Sequence, residues 1–142
     1  MISRTPIKHS TTDKGIDRLK GTSLPFRFGT AGGVVMEKGL SKIKQNIRAI
    51  LMTTVGERTH RPSFGSQISL TTMFRNLNEG TKASMQEILA ASLRRYEPRV
   101  TLISVVLSQD NSSVPGEVLV EITYKVSSTG SYEQMTVAFE GR

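Results

Sequence analysis

The chain has no cysteine and no tryptophan, only two histidines (His9 and His60), and no apolar run near the roughly 18 to 20 residues that a membrane span requires. Each absence excludes something. Without cysteine there is no disulfide framework, no thiolate zinc site and no cysteine nucleophile, and the composition suits folding and assembly in a reducing cytoplasm. Two histidines are too few for a histidine-rich metal site, so no metal is expected. The basic N-terminus has no apolar h-region behind it, so a soluble, unprocessed protein with no membrane partner is expected. No cofactor is expected either. Neither G-x-x-x-x-G-K-[ST] nor a strand-linked G-x-G-x-x-G occurs, and the glycine cluster "GTAGG" at residues 29–33 lacks the following helix that would aim amides at a phosphate. The sequon at Asn111 carries no meaning without a secretion signal.

Aromatic residues are also scarce, three Tyr and five Phe, and Phe26 with Phe28 is the sole close pair near the basic half, which poorly supports a base-stacking platform for nucleic acid. What is present is charge, and it is uneven. The formal net charge is +7; residues 1–61 hold 12 Lys/Arg against 4 Asp/Glu, and residues 62–142 hold 7 against 8. A basic N-terminal half suits nucleic-acid binding or docking on an acidic neighbour in a large assembly, and charge alone does not separate the two.

At 142 residues the length fits one domain that buries a real core, with tails. Residues 1–23 mix Ser, Thr, Lys, Arg and Gly with isolated Ile and Leu, and read as a basic arm that stays loose until something orders it. From Leu24 the texture changes, and residues 24–142 read as the single domain. "LPFRF" and the stretch around residues 34–37 predict two short extended segments joined by a glycine turn. Gly39 and Ser41 supply a stop and an N-cap for a helix over residues 41–55, in which Ile43, Ile47, Ile50 and Leu51 fall on one face and Lys42, Lys44, Gln45 and Arg48 on the other. Gly56 is placed to end it.

A loop, "ERTHRPSFGS", follows, and residues 68–77 suggest a short helix with Met73, Phe74 and Leu77 inward. Thr81 then caps a second long helix carrying Met85, Ile88, Leu89, Leu93 and Tyr96, which must stop near Glu97 because a residue before proline is pushed out of the α region. Beyond Arg99 the period becomes two. Residues 100–107, apolar on nearly both faces, predict a buried strand; Val118, Val120, Ile122, Tyr124 and Val126 alternate with polar residues in a second; residues 132–139 form a last. The sum is an α+β fold, two main helices on one face of a small antiparallel sheet that ends in a C-terminal β-meander. A terminal edge strand is free to pair with another molecule, unless Glu133 and Glu140 simply blunt it.

The chain offers little chemistry. Glu57 and Glu97 are the candidate catalytic carboxylates, each beside an arginine at a helix terminus, but Arg58 and Arg99 give them ordinary ion-pair partners. His60 in "RTHRP" lies in a cationic context that disfavours a base near neutral pH. No catalytic residue is assigned.

Four blocks in order, "LPFRF" (24–28), "ILMTTVGERTHRPSFGS" (50–66), "RYEPRV" (95–100) and the alternating strands after it, resemble the small baseplate wedge proteins of contractile injection machines. That family, also described as sheath initiators, includes a lysozyme-like phage tail protein and the type VI secretion baseplate subunit TssE. The resemblance implies a structural, non-enzymatic virion or particle component, present in multiple copies in a symmetric assembly. It implies baseplate wedge proteins and the tail sheath protein as partners. The family's Gly-Glu-Arg turn falls on Gly56, Glu57 and Arg58, and its Glu-Pro-Arg signature on Glu97, Pro98 and Arg99, as the wedge contact. The C-terminal strands, with Val118, Val120, Ile122, Tyr124, Tyr132, Met135, Val137 and Phe139, would receive the first sheath ring. Nothing in the resemblance reaches the arm, whose Arg4, Lys8, Lys14, Arg18 and Lys20 are expected to meet an acidic face of tube, hub, sheath or wedge. Two rivals stay open: a peptidoglycan-degrading tail enzyme, and a nucleic-acid module using the arm.

Overall fold

The structure, a computed structural model, describes residues 16–68, 78–109 and 118–139. The expected short helix at 68–77, the loop residues 110–117 with Val114, and the arm residues Arg4, Lys8 and Lys14 lie outside the described residues, apart from Ile68 itself, which is fully buried.

Among the described residues seven elements follow in order: β1 (Lys20–Thr22), β2 (Met36–Lys38), α1 (Gly39–Met52), α2 (Glu79–Tyr96), β3 (Val100–Gln109), β4 (Val118–Val126) and β5 (Tyr132–Phe139). β1 and β2 form a small antiparallel ribbon, and β3, β4 and β5 form an antiparallel sheet in that spatial order. This is the expected α+β arrangement. One core joins Ile43, Ile47, Ile50 and Leu51 of α1 and Met85, Leu89 and Leu93 of α2 to Val105, Val120, Ile122 and Tyr124 of the sheet.

Several local expectations are corrected. The ordered region begins upstream of Leu24: Ile16 is buried, and Lys20, Gly21 and Thr22 pair with Lys38, Glu37 and Met36. Arg18 and Lys20 therefore belong to the folded domain and not to a loose arm. Ile16 succeeds as an anchor because it meets Gly39, where an added Cβ would lie 3.2 Å from its side chain. Helix α1 starts two residues earlier than read, at Gly39, with Lys38 in the N-cap position and no side-chain cap. It also stops earlier, at Met52, where Thr53 turns extended and its hydroxyl donates back to the Ala49 carbonyl. For α2 the cap is Asn78, whose Oδ1 accepts from the Thr81 N–H at 2.8 Å and from its hydroxyl at 2.9 Å. Thr81 is thus the recipient of the cap rather than the cap.

The most instructive correction concerns β3. It is an edge strand with Ile103 and Val106 about half exposed, and not a strand buried on both faces. The pairing Leu102 to Tyr124 is followed by Ser104 to Thr123, so Ile103 is an extra residue, a β-bulge. The bulge reverses the parity of the strand: Val100 and Leu102 face the core before it, Val105 and Leu107 after it. A run that looked apolar on both faces is two half-strands that each bury one face.

Candidate functional site

The Gly-Glu-Arg turn and the Glu-Pro-Arg joint lie 40 residues apart, counted from Glu57 to Glu97, yet fold into one surface. Helix α1 delivers the first of them. After Thr53 the chain pairs Thr54 with Ser66 in a parallel bridge, and the Ser66 N–H donates to the Thr53 carbonyl at 2.9 Å. The loop between is closed by the Gly56 N–H, which donates to the Pro62 carbonyl at 2.7 Å, and by successive turns at Arg58 and Arg61. Two glycines make this possible, Gly56 at φ +93 and Gly65 at φ +115. At Gly65 a Cβ would stand 2.2 Å from the Thr53 carbonyl oxygen, so no other residue fits the crossing.

Aromatic rings join the two motifs. Phe64 meets Tyr96 at 4.9 Å between ring centroids, tilted by 55°, and the Tyr96 hydroxyl donates to the Ser63 carbonyl. Arg58 lies over the Phe64 ring at 4.0 Å and Arg95 over the Tyr96 ring at 5.3 Å. The result is a stack, Arg58–Phe64–Tyr96–Arg95, with guanidinium groups at both ends. Arg58 therefore does not neutralise Glu57, as the sequence suggested. Glu57 instead accepts the Thr54 N–H at 2.9 Å and holds the turn.

Glu97 is different in kind. It is 1% exposed at the C-cap of α2, its N–H donating to the Leu93 carbonyl. Its Oε2 accepts from the Asn46 side chain of α1 at 2.8 Å, and its Oε1 faces the Arg99 Nε at 2.8 Å. The Arg99 contact is an ion pair without hydrogen-bond alignment, since Oε1 has no hydrogen-bond donor among the described residues. The carboxylate thus bolts α1 to the exit of α2 while Arg99, half-exposed, carries the charge to the surface. Pro98 between them is exposed and forces the exit from the helix. Asn46 was missed in the sequence. Its signal was position: it stands three residues after Ile43 and four before Ile50, flanking the apolar stripe where a polar side chain needs a buried partner.

The strands named for pairing divide into two groups. Val118, Val120, Ile122 and Tyr124 lie on β4, which is central, paired to β3 on one side and β5 on the other. Their side chains are buried, so β4 cannot receive another strand, and that part of the expectation is withdrawn. β5 is an edge. Met135, Val137 and Phe139 turn toward the core, whereas Tyr132, of opposite parity, is exposed. The Val126 N–H donates to the Ser131 carbonyl at 2.9 Å, and antiparallel alternation from there aims the main-chain groups of Tyr132, Gln134, Thr136 and Ala138 away from β4. Among the described residues nothing pairs with that side of β5. The other edge is obstructed: the bulge interrupts β3, and the Gln86 side chain donates to the Val105 carbonyl at 2.7 Å.

Tyr124 is buried with no hydrogen-bond partner for its hydroxyl among the described residues, and burial, reinforced by the nearby Glu133 carboxylate, pushes its pKa from 10.0 up to about 12. Glu133 in turn pairs with Lys44 of α1 at 2.8 Å. Among the described residues there is no group of three acidic or histidine side chains placed to hold a metal, and no helix long and apolar enough to cross a membrane.

Comparison with known proteins bears on the family and the fold. The family model described as baseplate wedge protein gp25 matches residues 37–131. The baseplate wedge protein gp25 of Enterobacteria phage T4 is 31% identical over 67 residues, 47% of this chain and 50% of that protein, so the match spans about half the length of that relative. A crystal structure of a Geobacter sulfurreducens tail protein whose name carries the word lysozyme is 32% identical, with a TM-score of 0.63 over 72% of this chain and 90% of that one. At the level of fold, a chain of the anti-feeding prophage baseplate (TM-score 0.61, 23% identity, 87% and 86% covered) and one of a type VI secretion baseplate complex (0.58, 17%, 72% and 93%) are similar. The four sequence blocks thus pointed to the right relatives, and the chain belongs to the gp25 family of baseplate wedge proteins.

Proposed function

We propose that this protein is a structural component of the baseplate of a contractile tail or injection particle, held by neighbouring wedge subunits and templating the first sheath ring by strand pairing. The observation that carries the reading is the outer edge of β5, a row of outward main-chain groups that no described residue pairs with, in a chain of this family. Main-chain pairing supplies register as well as affinity, which suits a template. The grip is assigned to the arginine-capped stack and the Glu-Pro-Arg joint. Arg58, Arg61, Arg95 and Arg99 are all exposed there, and the partner is therefore a wedge surface bearing carboxylates.

Sheath growth tests the edge. Thr136→Pro removes an outward donor while leaving the ladder to β4 intact, and should block sheath polymerisation on assembled baseplates; sheaths of normal length would refute the template. Val137→Pro would not discriminate, because the Val137 N–H points into the ladder with β4. Arg58→Glu with Arg95→Glu should prevent incorporation into baseplates while the variant stays folded, its melting temperature lowered by only about 3–6 °C for the two lost cation–π contacts.

The name of the Geobacter relative raises wall hydrolysis as a second reading. Glu97 has its carboxylate enclosed by Asn46 and Arg99, and Glu57 serves a turn. Among the described residues, a groove of about 690 Å³ between α2 and β3 is lined by a single carboxylate, Glu87, where hydrolysis needs two. The protein is therefore read as having no enzymatic role. Digestion of purified peptidoglycan that is lost in Glu87→Gln or Glu97→Gln would reverse this.

A further inference from the structure

The ribbon ahead of α1 exposes more apolar surface than any other described part of the chain. Leu24 is 49% exposed, Phe26 61%, Phe28 72%, Val34 38% and Met36 48%. The backbone explains why. The Ser23 N–H donates to the Val35 carbonyl, and the Val35 N–H donates to the Arg27 carbonyl, so residues 24–26 are looped out between two bonds made by one residue. Leu24 and Phe26 ride on that excursion. Past it, Phe28 bridges Val34, and alternation puts Val34, Met36 and Lys38 on the outer face, with Val35 and Glu37 turned inward. Lys20 and Lys38, paired across the ribbon next to Met36, and Arg27, between Phe26 and Phe28, flank the apolar residues, and Arg18 precedes them in the chain; all four are exposed and none is in an ion pair among the described residues, with Asp17 and Glu37 as the carboxylates of the stretch.

We infer that residues 24–36 form a plug that seats in an apolar groove bordered by carboxylates on another subunit of the baseplate. Clustered exposed aromatics with a charged rim are the composition of an interface centre. The free cations select an acidic border. They also disfavour a second copy of this chain, because two ribbons carrying four cations each would repel across a shared contact. The plug is separate from the arginine-capped joint: it leads into the N-terminus of α1, whereas the joint loop leaves the C-terminus, about 20 Å away along a helix of 14 residues.

A photo-crosslinking amino acid at Phe26, in chain assembled into particles by its producing cell, tests the assignment. The expected product is one crosslinked peptide from a different baseplate subunit, with apolar residues flanked by Asp or Glu. Crosslinks to another copy of this chain, to lipid, or to nothing would overturn it. In parallel, Arg27→Glu, and Phe26→Ser combined with Phe28→Ser, should each lower incorporation at least tenfold while the purified variants melt like the parent chain. Undiminished incorporation in both would also overturn it, and if either variant folds poorly the crosslink alone decides.

Discussion

Replacing Gly65 with alanine should cost several times as much stability as replacing Gly56, although both glycines sit in one loop at positive φ. At Gly56 a Cβ meets nothing within 4 Å, so Gly56→Ala carries only the backbone penalty, about 1 kcal/mol. At Gly65 the Cβ would stand 2.2 Å from the Thr53 carbonyl oxygen and 2.9 Å from its carbon. Ordinary contact begins at 3.4 Å, so the backbones must part by about an ångström. That separation breaks the Ser66 N–H bond to Thr53 at 2.9 Å and weakens the Val55 N–H bond to Ser66 at 3.4 Å, each worth about 1 kcal/mol. With the same backbone penalty, Gly65→Ala should lose about 3–5 kcal/mol. Alanine narrows the unfolded ensemble equally in both variants, so their difference isolates the clash. Thermal unfolding followed by circular dichroism should show midpoints lowered by about 3 °C for Gly56→Ala and about 10 °C or more for Gly65→Ala. Equal shifts would refute the crossing of the two strands at Thr53 and Gly65, and with it the route by which Arg58 and Phe64 reach Tyr96.

Tyr124 gives a pH test. Its folded pKa, about 12, lies above the unfolded value of 10.0, so the unfolded chain loses a proton that the folded chain keeps, and stability falls as pH rises from 10 toward 12. Chemical denaturation of Tyr124→Phe should show about 2–3 kcal/mol less alkaline loss over that window than the parent, and no loss at pH 7, where the buried hydroxyl has no partner among the described residues. An identical alkaline profile would count against burial of that hydroxyl. Arg99→Ala strips the buried Glu97 carboxylate of its counter-charge and should cost about 2 kcal/mol in urea unfolding, less than a fully enclosed pair because the guanidinium is half-exposed. Asn46→Ala should cost about 1–2 kcal/mol by the same measurement, and an unchanged midpoint would mean that Glu97 does not bridge the helices.

Much of the fold was legible because its signals are local. The stripe Ile43, Ile47, Ile50 and Leu51 and the alternation from Val118 to Val126 follow from the periods of helix and strand, and both bury as the periods require. Pro98 ends α2 by sterics confined to two residues. Caps were less secure: Ser41 and Thr81 are the right residue types, but Lys38 and Asn78 hold the positions, because the helix start is chosen by where the preceding chain is anchored.

What the sequence determined by itself was the pattern of elements, the absence of cysteine, and a resemblance carried by short motifs. Tertiary structure alone decided three things, each involving residues far apart in the chain. The bulge at Ile103 depends on β4 setting the register from across the sheet. The joining of the Gly-Glu-Arg turn to the Glu-Pro-Arg joint depends on Phe64 meeting Tyr96, and on Asn46 reaching Glu97 over 51 positions. And β4 being central while β5 is an edge is a fact of spatial order: two strands with the same alternation differ only in how many neighbours each finds, and only the one with a single neighbour has main-chain groups left to offer a partner.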